Sequence, residues 1–290
     1  MVLFGALHAD VPRRMEDDHV VVHYDRGLEN KAREVLSIYS RISRDLEGIL
    51  GWEIDFKPRV VLIGDNERFQ EVVANSHVIA FASPREALIV IDHSRMGGEP
   101  FTLGVTLKHE MCHIILGRNI SQDRLPRWLN EGFCQWVTGG IAELMVGGGQ
   151  SALKKASLSD QLIPLRFLSK DFPGEKNALI LAYEQSRSAL DYMITEYGTE
   201  SVLRLFGYLR DGDTIDEAFG KSMSLGADEF EKRWVAHLRE NVTWIGYIAA
   251  NIYAILLFAA ALLTVGGFVR HMRRRLKNSW LDDDDEGLPG

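Results

Sequence analysis

Residues 101–116 read F-T-L-G-V-T-L-K-H-E-M-C-H-I-I-L, and residues 126–132 read P-R-W-L-N-E-G. The first stretch contains His109-Glu110-Met111-Cys112-His113, an H-E-x-x-H pattern. Its apolar residues, Phe101, Leu103, Val105, Leu107, Met111, Ile114, Ile115 and Leu116, predict a buried helix over 101–116, with Gly117 as its stop signal. Positions i and i+4 share a helix face, so His109 and His113 can present two imidazoles to one metal ion. Glu110 stands beside that face, where a carboxylate can polarise a metal-bound water. Pro126 opens a second predicted helix over 126–138, closed by Gly139-Gly140, in keeping with the preference for Pro in a first helical turn. Glu131 lies on it among Trp128, Leu129, Phe133, Trp136 and Val137. A carboxylate in that setting needs a partner, because an unpaired buried charge is costly, and a metal ion is a natural one. Three protein ligands with one open position is the arrangement of a catalytic zinc site rather than a structural one. His77 and His93 fall outside any ligand spacing and read as surface or loop histidines.

H-E-M-C-H followed by W-L-N-E-G resembles the gluzincin metallopeptidases, specifically the bacterial peptidase MA-like families whose second motif is W-L-x-E-G. The resemblance runs over most of residues 20–240. It includes Ala182-Tyr183-Glu184-Gln185-Ser186, the stretch up to Tyr197-Gly198, and residues 226–234. It implies a zinc-dependent peptidase in which His109, His113 and Glu131 bind one Zn2+ and Glu110 is the general base. A loose similarity to gluzincins that use Tyr or His makes Tyr183 the candidate oxyanion donor, although a core aromatic on a helix accounts for it as well. Arg187, one turn on, is a candidate to bind substrate or stabilise charge, and Gln185 is a weaker option. Gln135, one turn after Glu131, is considered as a hydrogen-bond partner of a ligand imidazole, although a solvated helix residue accounts for it as well. The metzincin pattern is excluded, since it needs a Gly and a third His where this chain has Leu116 and Asn119. An inactive zincin-like scaffold of the cell envelope is the alternative, and the retention of Glu110 with all three ligands argues against it.

The chain has 290 residues and a formal net charge of −8. That charge resides in residues 1–240, because the C-terminal stretch holds as many acids as bases. An acidic catalytic part argues against nucleic acid as a partner, whose phosphates require a basic face. A peptide or protein substrate is expected instead. The two cysteines, Cys112 and Cys134, provide no disulfide framework. They read as buried apolar residues, with a disulfide open to them in an oxidising compartment.

No charged residue occurs between Asn241 and Val269. Residues 244–269 are long enough to cross a bilayer, which needs about 20 apolar residues. Trp244, Tyr247 and Tyr253 sit toward one end, as interfacial aromatics do, and Arg270, His271, Arg273, Arg274, Arg275 and Lys277 follow the other. That basic cluster predicts a cytoplasmic tail at 270–290 and a catalytic domain on the far side of the membrane. Residues 1–9, apolar and ending in small residues, read as the remnant of a signal peptide within an N-terminal segment 1–19. A site inside the bilayer is excluded, because Lys108, Arg118, Asp123, Arg124 and Arg127 surround the metal motif with charge.

Strands are predicted at 20–24, 59–63 and 87–92, and helices at 30–50, 67–74, 178–197, 200–210, 214–219 and 227–238. Residues 153–168 are mixed, broken by Pro164 and Pro173. Strands first and helices later is an α+β pattern: a small N-terminal mixed sheet over the metal helix, a mostly helical lobe within a domain spanning 20–240, and one C-terminal transmembrane helix. Residues 87–92 are either a wholly internal strand or a sheet edge open to an extended peptide, and the resemblance favours the edge.

Overall fold

The computed structural model describes residues 13–73, 78–96, 102–139, 152–241, 251–253 and 256–270. The chain divides into two units, residues 1–237 and 238–290.

The first unit begins with a five-stranded mixed sheet of order β1-β2-β3-β5-β4. Its strands are β1 (Arg13–Glu16), β2 (Val21–Tyr24), β3 (Arg59–Ile63), β4 (Ala80–Ser83) and β5 (Leu88–Asp92). β2, β3 and β5 run parallel, with Val22 opposite Val60 and Val61 opposite Val90. β1 and β4 pair antiparallel on the two flanks. Helix α1 (Glu29–Leu50) makes the β2-to-β3 crossover. Its buried residues, Ala32, Val35, Tyr39, Ile42, Leu46 and Leu50, recur at the 3.6-residue period. Gly51, at φ 69°, ends it as the sequence predicts, and its N–H bonds the Glu47 carbonyl. Alternation along the strands separates two cores. Val61, Ile63, Leu88 and Val90 pack with Phe69 of α2 (Asn66–Val72). Val60, Leu62, Ile89 and Ile91 are equally buried and belong to the opposite face, the side on which α1 and α3 (Leu103–Asn119) lie against β2, β5 and each other. An ion pair between Lys108 and Asp45 adds to the α1–α3 contact.

Three expectations need correction here. First, β5 is internal, held between β3 and β4 and buried at every position, so it offers no edge. β4 lies at the end of the sheet, and its four residues are too few to declare themselves by pattern. Second, Arg13–Glu16, left by the sequence reading in an N-terminal segment, is β1 of the sheet; residues 1–9 lie outside the described residues. Third, Gly117 does not end the metal helix, which runs on to Asn119. A Cβ at Gly117 would stand 2.7 Å from Pro84 Cγ, so this glycine permits the close approach of α3 to the 3-10 turn Pro84–Glu86.

The remaining described residues of the chain up to Asn241 are mostly helical. α4 (Arg127–Val137), α5 (Ala152–Ser159), α6 (Leu165–Leu168), α7 (Lys176–Tyr197), α8 (Thr199–Asp211), α9 (Ile215–Met223) and α10 (Ala227–Asn241) follow in order. The mixed stretch 153–168 thus resolves into α5 and α6 around Pro164. Aromatic contacts bind this lobe to α4. Phe133 meets Phe206 edge-on at 4.8 Å, Trp128 stacks on Phe230 at 6.2 Å, and Phe230 meets Phe219 at 5.1 Å. Trp234 is fully buried, and its indole N–H donates to the Ser188 hydroxyl. In the second unit, Asn251–Arg270 is an apolar helix of 20 residues, long enough to cross a bilayer. Its large side chains, Leu256, Leu257, Phe258 and Leu263 among them, are exposed. Residues 244–250 and 271–290 lie outside the described residues.

Candidate metal centre

α3 is a well-started helix: the Thr102 hydroxyl accepts from the Val105 N–H as its N-cap. The helix is buried on almost all sides, so its polar residues must be satisfied locally. His109, Glu110 and His113 are all buried, and Glu131 of α4 is buried opposite them. The ligand atoms of His109, His113 and Glu131 lie within 4.8 Å of one another. His109 Nε2 and His113 Nε2 are 3.1 Å apart, and Glu131 Oε2 is 3.9 Å and 3.4 Å from them, respectively. A point equidistant from atoms with those separations lies about 2 Å from each, the coordination distance of Zn2+ to imidazole nitrogen and carboxylate oxygen. Three lone-pair-bearing atoms aimed at one point would repel one another without a cation. The three residues could therefore hold a metal ion, and their donor set is of the kind that suits zinc.

The tautomer of one ligand follows from its neighbour. Asn130 Oδ1 lies 2.9 Å from His113 Nδ1. With the amide oxygen as acceptor, Nδ1 carries the proton and Nε2 presents its lone pair to the metal point. Sequence reasoning missed Asn130 and considered Gln135 for this role. The available signal was the place of Asn130 in the motif, immediately before Glu131. Gln135 is instead buried, its amide donates to the Tyr183 carbonyl, and its own carbonyl accepts from Arg187. It is neither a solvated residue nor a partner of the ligand His113.

Glu131 owes its position to a close helix contact. A Cβ at Gly132 would lie 2.4 Å from the Ser186 carbonyl oxygen, so α4 reaches α7 at a distance that only glycine permits. This is a physical reason for glycine in W-L-N-E-G. Arg127, one turn before Glu131, brings its Nε to 3.9 Å from Glu131 Oε1 while its guanidinium lies over the Phe172 ring. Tyr183 is buried against the same Phe172, edge-on at 5.1 Å. Arg187 pairs with Asp191, and Gln185 binds both the N–H and the carbonyl of Ile163, so each makes structural contacts in the helical lobe.

Cys112 and Cys134 form a disulfide. Both are fully buried, as expected, but they are bonded rather than two separate thiols. The bond joins the helix of both histidines to the helix of Glu131. His93 lies in the short 3-10 turn His93–Arg95, half-buried, with Nε2 buried and without a hydrogen-bond partner among the described residues. His77 lies outside the described residues. The hydroxyl of Thr106, one turn before Glu110, is buried and has no partner among the described residues.

A family model described as Peptidase MA superfamily matches residues 88–240, about half of the chain. That range carries β5, both ligand helices and the lobe from α5 to α10. Among solved structures, an M1 zinc metallopeptidase variant from Deinococcus radiodurans bound to a Tyr-Ser-Ala substrate is 16% identical, with a TM-score of 0.49 over 77% of this chain and 51% of that one. A second structure of an M1 zinc metallopeptidase variant from Deinococcus radiodurans is 15% identical, with a TM-score of 0.46 over 77% and 50%. A two-domain M1 zinc metallopeptidase variant bound to L-tryptophan gives 16% and 0.46 over 77% and 51%. The chain spans about half the length of these structures, and the likeness is distant. No curated protein matches it.

Proposed function

The chain belongs to the peptidase MA superfamily, and we propose that it is a zinc-dependent peptidase held at a membrane by one C-terminal span. The observation that carries this reading is the convergence of His109, His113 and Glu131 on one point, with Glu110 buried on the same helix. A zinc ion bound there supplies Lewis acidity to the scissile carbonyl and lowers the pKa of a water toward neutrality. Glu110 would serve as the general base, taking a proton from the attacking water and passing it to the leaving amine, a role suited to a buried carboxylate. Asn130 holds the His113 ring in register. Tyr183 would donate its hydroxyl to the developing oxyanion, and Arg127 packs on the Phe172 ring that Tyr183 also touches while approaching Glu131. The β4 edge, on the strand that packs against α3, accepts an extended peptide by main-chain hydrogen bonds.

Two features support anchoring: the exposed apolar surface of Asn251–Arg270 and the cations that follow it in sequence. With those cations on the cytoplasmic side, the peptidase domain faces away from the cytoplasm. A disulfide between Cys112 and Cys134 is consistent with an oxidising compartment.

The test is digestion of a peptide library by the full chain with bound zinc measured in parallel. Wild type cleaves and carries one zinc. Glu110→Gln keeps the metal and loses cleavage by about 100-fold or more. Undiminished cleavage by Glu110→Gln removes Glu110 from its role, and a wild type that takes up no zinc on titration ends the proposal.

A further inference from the structure

Among the described residues outside Asn251–Arg270, only two large apolar side chains are exposed: Leu158 at 61% and Phe167 at 59%. Leu158 is on α5 and Phe167 on α6. On α5, Ala156 and Ser157 are buried and the Leu153 N–H is held by Glu184 Oε2 at 2.7 Å, while Leu158 points outward. On α6, Leu165 and Leu168 are buried while Phe167 points outward. The turn leading to α6 is held by Gln185, which bonds the Ile163 N–H at 2.9 Å and its carbonyl at 2.8 Å. The Leu165 N–H is fixed by Glu231 Oε1 of α10 at 2.9 Å. The fold thus presents these two side chains to the surroundings.

Their electrostatic setting differs from the rest of the protein. Between Ala152 and Lys170 the cations are Lys154, Lys155, Arg166 and Lys170, and the one acid is Asp160. The chain as a whole carries −8. None of these four cations forms an ion pair among the described residues, although Arg166 lies over the Phe167 ring. Exposed Leu and Phe beside unpaired Lys and Arg is the surface chemistry of a protein face that enters the headgroup layer of an anionic bilayer.

We infer that the α5–α6 face docks on the anionic surface of the membrane in which the chain is anchored, with Phe167 and Leu158 entering the interface and Lys154, Lys155, Arg166 and Lys170 binding lipid phosphates. This rests on the anchoring reading above. Chain length makes the contact reachable. Glu231, which fixes the start of α6, is followed by the uncharged stretch from Trp244, and even fully extended chain between them spans only about 45 Å. The tether replaces encounter from solution by a high local concentration of bilayer, so a small patch suffices.

The full chain tests this. Its two native cysteines are bonded to each other, so Phe167→Cys introduces the single free thiol for an environment-sensitive fluorophore, and Leu158→Cys provides a second reporter. The labelled chain is placed in nanodiscs of phosphatidylcholine alone or mixed with phosphatidylglycerol. Retention of the chain in the discs after alkaline and high-salt washing tests the anchor. In phosphatidylglycerol discs both labels should shift to shorter wavelength and be quenched by a nitroxide carried on the lipid. High salt, or the combined Lys154→Glu, Lys155→Glu and Arg166→Glu changes, should abolish both effects. A retained chain whose labels stay water-like in those discs overturns the docking proposal alone. A shift in detergent that grows with protein concentration assigns the face to a second copy and overturns it too. A chain that washes out of the discs overturns the anchoring reading, and the docking with it.

Discussion

Asn130 Oδ1 accepts a hydrogen bond from His113 Nδ1 at 2.9 Å, so the residue beside the candidate ligand Glu131 on α4 sets the tautomer of the candidate ligand His113 on α3. Asn130→Ala should keep the fold and weaken zinc binding about 10- to 100-fold, the usual cost of losing such a partner. Competition with a chromophoric chelator measures this. Asn130→Asp retains an acceptor and should bind more tightly than Asn130→Ala. Equal affinity in all three proteins would show that the contact is incidental.

Bound metal should also appear as stability. A site formed only in the folded chain contributes about 4 kcal/mol when free zinc is 1,000 times Kd. Thermal unfolding of wild type should therefore move up with added zinc and down with chelator. Glu131→Ala and His113→Ala should unfold at one temperature under both conditions. A zinc-dependent shift that survives in both variants would place the binding elsewhere.

Gly132→Ala asks whether the α4–α7 contact positions Glu131. The new methyl would stand 2.4 Å from the Ser186 carbonyl oxygen, a backbone atom that cannot move aside cheaply. Overpacking of this kind costs about 1–3 kcal/mol, and displacement of α4 should lower zinc affinity in parallel. Gly48→Ala on α1, where an added Cβ meets nothing within 4 Å, should raise stability by up to about 1 kcal/mol through helix propensity and leave zinc binding alone. Denaturant unfolding of the two variants side by side gives the comparison.

The Cys112–Cys134 bond closes a sequence separation of 22 residues around the metal point. Replacing both with Ala should cost about 3 kcal/mol on the chain-entropy account. Because the bond joins the two ligand helices, zinc affinity should fall with it. Calorimetric unfolding and zinc titration of the double variant would expose a staple without influence on the site as a drop in stability at unchanged affinity.

Tyr183→Phe keeps the ring against Phe172 and removes the hydroxyl. If that hydroxyl meets the oxyanion, kcat should fall about 100-fold with KM little changed. Unchanged kcat would leave Tyr183 as a packing residue of the helical lobe.

How much of this was legible beforehand depends on the range of the interaction involved. The helical spacing of His109 and His113, the apolar setting of Glu131 and the uncharged length before Arg270 are local patterns, and each is read directly from side-chain order. The strands at 59–63 and near 87–92 were also visible, since continuous apolar runs mark strands covered on both faces. That same pattern fits the internal position of β5, whereas the four-residue β4 left no comparable trace.

What the sequence by itself determined is the set of candidate groups: two imidazoles at helical spacing with a carboxylate beside them, a second carboxylate in an apolar helical setting, and an apolar segment long enough for a bilayer. The tertiary structure decided which side chains serve that chemistry. It brought Asn130 rather than Gln135 to His113, joined Cys112 to Cys134, gave Gly117 and Gly132 their close contacts, and put β4 rather than β5 at the end of the sheet. These depend on which surfaces of separate elements meet. Contacts of that kind are fixed by packing and pairing between residues far apart in the chain, on which residue spacing along one element carries no information.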